Sequence, residues 1–121
     1  MKFLMVTTDL EGKEPSMPSP EMDGAIMQLI EQETRAGVLV MTGGILPVSM
    51  GGARVRAEGG TMTVIDGPFT EAKEMIAGFA IVEVNSLDEA LEVSRRFYAV
   101  VGEGQGEIRQ LIGPDDPLPI Q

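Results

Sequence analysis

Apolar residues in this chain come in two rhythms, and the change from one to the other marks out the elements. Residues 2–8 (KFLMVTT) are apolar on both alternating sides, Phe3 and Met5 on one, Leu4 and Val6 on the other, as in a strand buried on two faces. Asp9 to Pro18 holds Gly12, Pro15 and Pro18 and reads as a loop. Ser19-Pro20-Glu21 then has the form of a helix start. Ser19 is the cap, Pro20 sits where its missing N–H costs nothing, and Glu21 and Asp23 face the positive dipole end. Met22, Ile26, Leu29 and Ile30 follow at helical spacing, and Ala36-Gly37 closes the segment. Val38 to Leu46 predicts a second strand, broken by Gly43-Gly44 and stopped by Pro47.

Ala53–Ala57 and Thr61–Ile65 flank Glu58-Gly59-Gly60, and two short alternating runs across a glycine turn predict a β-hairpin. Phe69 to Met75 is a charged, helical-looking connector, and Phe79 to Val84 is another strand apolar on both sides. Ser86-Leu87-Asp88-Glu89 is a capping box, followed by a stripe of Leu87, Ala90, Leu91, Ser94, Phe97 and Tyr98. Glycines 102, 104 and 106 form a loop, and Ile108, Gln110 and Ile112 make a last strand before a proline-containing tail over 113–121. Strand, helix, strand, hairpin insert, strand, helix, strand is an α+β order. It is that of a ferredoxin-like βαββαβ fold in one domain over 1–121. Right-handed crossovers put both helices on one face. Two strands that are apolar on both faces then leave the other face to meet something, and a second copy across a two-fold axis is the expected partner. The expected assembly is a homodimer with its sheets face to face.

Composition narrows the chemistry. The 121 residues carry nine basic against nineteen acidic side chains, a net charge of -10, which argues against a nucleic-acid or anionic-membrane partner. An acidic surface of this kind serves solubility first. There is no cysteine and no histidine. Thiolate metal sites, disulfides, a cysteine nucleophile and every Ser-His or Cys-His arrangement are therefore excluded, and no metal or other cofactor is expected. The first residues lack the pattern of a secretory leader, no stretch reaches the length of a membrane span, and a cytoplasmic location is the default. The nine methionines, among them Met5, Met22 and Met62, read as core filling, with an adaptable apolar pocket second.

The most distinctive local run is Asp66-Gly67-Pro68-Phe69-Thr70-Glu71-Ala72-Lys73-Glu74. It resembles the DGPF signature of the YCII-related family. The similarity extends through MKFLMV, AGVLVMTGGILP, ARVRAEGGTMTVIDGPF and AIVEVNSLDEALEVS, nearly the whole chain. The resemblance implies a dimeric α+β barrel. It implies little about activity, although members that occur beside or fused to alternative sigma factors make a regulatory role conceivable. Enzymes of the wider group, resembling muconolactone isomerases and dehydrochlorinases, are thought to work through a His–Asp pair, and the histidine half of that pair is missing here.

The run itself reads in two ways. As structure, Asp66 accepts backbone N–H groups of its turn, Gly67 takes a positive φ, Pro68 fixes the first turn of the connector and Phe69 packs into the core or the interface; this reading outweighs the other. As function, Asp66 is an acid or base at a strand end, with Pro68, Phe69, Glu71 and Lys73 beside it. Arg54 and Arg56 share one side of the neighbouring strand, either solvated or holding a carboxylate. Asp9, at the end of the first strand, is a second candidate acid. Two functions follow from these residues. The first is a dimer that binds a small apolar or carboxylated ligand in a cleft near the run. The alternative is a cofactor-independent lyase or isomerase in which Asp66, its proton affinity raised by burial, carries the proton.

Overall fold

The computed structural model describes residues 1–8, 19–65 and 76–118. The elements are β1 (Lys2–Thr8), α1 (Pro20–Arg35), β2 (Leu39–Gly43), β3 (Arg54–Glu58), β4 (Thr61–Ile65), β5 (Ile76–Glu83), α2 (Leu87–Val101) and β6 (Gln105–Leu111). Four strands form one sheet in the order β2-β5-β1-β6, and β3 and β4 form a separate two-stranded sheet. Every pairing is antiparallel. The helical-looking connector expected at 69–75 lies outside the described residues.

Both helices start where their caps say. Met22 N–H donates to Ser19 Oγ at 3.1 Å, and Glu89 N–H donates to Ser86 Oγ at 3.2 Å. The Glu89 carboxylate reaches back past the cap and accepts from the Asn85 N–H at 2.8 Å, one residue before the position a capping box uses. The α2 stripe differs from the expected one at its beginning. Leu87 is half exposed, and Ala90 and Val93 are the buried positions. Side chains of a helix lean toward its N-terminus, so a first-turn residue such as Leu87 points off the end instead of onto the sheet.

The core lies between the sheet and the helices. Phe3, Met5, Val82, Val84, Ala90 and Val93 are buried, with Val38, Leu39, Ala80 and Ile108 packed against them. Register explains the selection: Phe3 is opposite Val82 and Met5 opposite Ala80 and Ile108, so these side chains share the inner face. Their alternates, Leu4, Val6, Phe79 and Ile81, share the outer face and are only half-buried. The two-faced strands expected from sequence are thus present, with both helices of the described residues on one side. Met41, opposite Ile81, joins the outer face after a bulge between Leu39 and Met41 and is 57% exposed.

Three strand ends move relative to the sequence expectation. β2 stops at Gly43 and leaves Ile45 and Leu46 exposed, because Gly43-Gly44 supplies no side chains to hold the ladder and Pro47 no donor. β5 begins at Ile76, where it still pairs with Thr8 of β1. β6 begins at Gln105 and takes in Gly106, which sequence had placed in a loop. A Cβ on Gly106 would stand 2.2 Å from the Val6 carbonyl oxygen and 2.8 Å from the Tyr98 hydroxyl, so glycine is what allows the ladder to continue there.

One polar contact ties the helices together. Glu33 of α1, 5% exposed, accepts from Arg96 of α2 through Nε at 2.5 Å and Nη2 at 3.2 Å. The hydrogen bond that Arg96 donates to Glu33 raises the Arg96 pKa above its ordinary value, helped by the charges of Glu33 and Glu92 and opposed by burial. Among the described residues no helix is long and apolar enough to cross a membrane.

Candidate functional site

The arginines expected to bind an anion stand on the β3–β4 hairpin. Its turn is Gly59-Gly60, with φ of 57° and 83°, the doubled positive φ that a tight hairpin turn demands. Register sets Arg54 opposite Ile65 and Arg56 opposite Thr63, so both arginines lie on one side with Glu58. Arg54 is half-buried and engaged in contacts of its own. Arg56 donates through Nη2 to Glu58 Oε1 at 2.5 Å, and both side chains are largely exposed. An exposed pair of this kind contributes little stability, about 0–1 kcal/mol. It exchanges readily for a better-placed anion. The structure therefore brings Arg54 and Arg56 together.

Asp66, Pro68, Phe69, Glu71 and Lys73 lie outside the described residues, as does Asp9. What the described chain does fix is the approach. β4 ends at Ile65, directly across from Arg54, and Asp66 is the next residue in sequence. Met62, read as core filling, is instead 62% exposed on this hairpin; Met5 is buried and Met22 half-buried, as expected. A two-stranded ribbon has no layer of its own to bury a side chain under, which is why Met62 stays in water.

Sequence reasoning missed two polar features. The Glu33–Arg96 pair spans 63 residues, and the only signal was that Glu33 continues the Met22, Ile26, Leu29, Ile30 stripe of α1. The second is Tyr98, expected only as one more member of an apolar stripe. Its ring meets Phe97 edge-on at 5.3 Å between centroids, and its hydroxyl closes over Gly106. Burial pushes the phenol above its ordinary value of 10.0, so it stays protonated and can donate. Among the described residues no three carboxylates are grouped so as to hold a metal ion.

The match to known sequences decides the family. The YCII-related domain matches residues 1–112. The chain belongs to the YCII-related family. An uncharacterised protein of Rhizobium meliloti is 35% identical over 98 residues, spanning 77% of this chain and 78% of that one. A solved structure, 5-chloro-2-hydroxyhydroquinone dehydrochlorinase from Burkholderia phenoliruptrix in complex with 2,5-dihydroxybenzoquinone, is similar at a TM-score of 0.46 and 18% identity. That similarity covers 93% of this chain and 94% of the other. It is too distant to carry that enzyme's chemistry across.

Proposed function

We propose that this YCII-related protein acts in the cytoplasm as a homodimer that holds a small apolar or carboxylated molecule in a cleft beside the Asp66–Phe69 run. Arg54 and Arg56 are its anion contacts. The observation that carries this reading is the outer sheet face. Leu4, Val6, Met41, Phe79 and Ile81 form an apolar surface with no helix of the described residues over it. An apolar sheet face in a chain of net charge -10 supports pairing with a second copy. In the dimeric α+β barrel of the ferredoxin-like kind, two such faces close on each other and shelter the ligand. The paired arginines favour a carboxylate, because a planar guanidinium matches both its oxygens. With no histidine in the chain, a binding or sensing role accounts for these residues with fewer parts than catalysis does.

The test is a thermal-shift screen of small carboxylates and aromatic acids on the native chain and on Asp66→Asn and Arg56→Gln. A ligand at one hundred times its dissociation constant adds about 2.7 kcal/mol of stability, which is a shift of several degrees. The expected hit shifts the native chain and loses its effect in Arg56→Gln. Turnover of that hit, abolished by Asp66→Asn, would instead make the protein a lyase or isomerase. No hit at all, with Asp66→Asn melting early by itself, would leave the run as a structural turn and end the ligand reading.

A further inference from the structure

The inner face of the four-stranded sheet loses side-chain bulk toward one end. Phe3 lies beside Val82 and Met5 beside Ala80, but Thr7 lies between Gly78 of β5 and Gly106 of β6. The helices do not close over this end. Thr7 and Gly78 are half-buried, while Gly106 and Thr42, the inner-face neighbour of Ala80, are exposed. Among the described residues, a Cβ on Gly78 would meet the Gly43 carbonyl oxygen at 3.2 Å and Thr7 Oγ1 at 3.6 Å, both parts of the sheet itself. Above the Thr7–Gly106 pair stands Tyr98 of α2, its hydroxyl 2.8 Å from where a Gly106 Cβ would be. Among the described residues nothing hydrogen-bonds to the hydroxyls of Thr7 and Tyr98. This phenol has given up part of its water and received no bond in return.

We propose that this recess binds a small, flat, neutral molecule through a carbonyl oxygen, with Tyr98 and Thr7 donating to it and the two glycines as its floor. Shape comes from the floor. Without side chains at 78 and 106, a ring can lie against the backbone on either side of Thr7. Polarity comes from the rim. The Tyr98 phenol, kept protonated by its burial, donates, the Thr7 hydroxyl can donate beside it, and a carbonyl oxygen has two lone pairs to receive both. Charge points the same way. Thr7, Thr42 and Tyr98 carry none, and in a chain of net charge -10 an uncharged ligand meets no repulsion. The recess lies on the helix side of the four-stranded sheet, whereas Arg54 and Arg56 stand on the separate two-stranded one. It is therefore a second site, distinct from the proposed anion contacts in place and in ligand, and it stands whether or not two copies pair.

Tyr98 is the one tyrosine of the chain and tryptophan is absent, so ultraviolet absorbance reads the rim directly. The probe is N-methyl-2-pyrrolidone, a flat amide that accepts hydrogen bonds and donates none, titrated into isotope-labelled protein and followed by NMR. The expected result is a set of amide shifts centred on Thr7, Gly78 and Gly106. Because the probe needs the protonated phenol, ten times its dissociation constant is expected to raise the alkaline midpoint of Tyr98 by about one pH unit. Tyr98→Phe keeps the ring against Phe97 and is expected to weaken binding about tenfold, the loss of one hydrogen bond. Gly78→Ala, whose methyl group occupies the floor, is expected to weaken it as well, and Arg56→Gln to leave it unchanged. Absent shifts, an unmoved midpoint, or full affinity in Tyr98→Phe overturns the recess. Binding lost in Arg56→Gln places the probe at the hairpin and overturns it too.

Discussion

The inner face of the four-stranded sheet and the apolar side of the hairpin are written in similar residues and end in opposite states. Phe3, Met5, Val82 and Val84 are at most 8% exposed, whereas Val55, Met62 and Val64 are all more than half exposed. Both runs alternate, both pair antiparallel, and both are rich in β-branched or aromatic side chains. Alternation therefore determines that a strand forms and which residues share a side. It does not determine whether the chain itself provides a cover. On the inner face two capped helices do so. For the hairpin and the outer sheet face, the described residues provide none.

That contrast can be broken from either end. The largest effect is expected at the covered face: Phe3→Ala removes a buried ring and costs about 3–5 kcal/mol, read as a lower denaturant midpoint. A loss under about 1 kcal/mol would mean the face is not a packed core. Next comes the clamp that holds the cover in place. Removing one partner of a fully buried ion pair costs about 3–5 kcal/mol. The Arg96 side chain is 42% exposed, so Arg96→Met is expected to cost less, about 1–3 kcal/mol. It strands the buried Glu33 carboxylate, and Arg96→Met with Glu33→Leu should recover most of the loss.

A smaller effect comes with alkali. The Tyr98 phenol is raised above 10.0 by burial in the folded chain, so the unfolded chain ionises first. The stability tied to it is complete below pH 10 and falls as pH rises from there through the folded value. Tyr98 is the only tyrosine and there is no tryptophan, so near-ultraviolet absorbance follows this one group. A folded-state midpoint at or below that of the denatured chain would contradict its burial. The smallest effect belongs to the open side: Val64→Thr is expected to change stability by no more than about 0.5 kcal/mol in dilute solution. A loss that grows with protein concentration would locate the missing cover on a second copy.

Much of this was legible in the residues. Serine caps at 19 and 86, the glycine turn at 59–60 and the two-sided apolar runs each act through neighbours in sequence, and each appears where expected. What escaped depends on residues far apart. Nothing near Glu33 names Arg96 as its partner, and nothing near Gly106 shows that Val6 and Tyr98 crowd it. The bulge between Leu39 and Met41 is likewise a property of how β2 fits β5 and not of β2 alone. For the candidate site, strand alternation placed Arg54 and Arg56 on one side. The Glu58 carboxylate that Arg56 holds went unnoticed, although two residues on in a strand is the same side.

The point at which the hairpin leaves the sheet has an evolutionary meaning. β2 and β5 are direct neighbours, with Gly43 opposite Phe79, so everything between them enters and returns at one place on the sheet. A tight connection there would complete the sheet without the hairpin. None of the described buried core residues belongs to the appendage, so selection can lengthen, shorten or rewrite it separately from the packing that folds the chain.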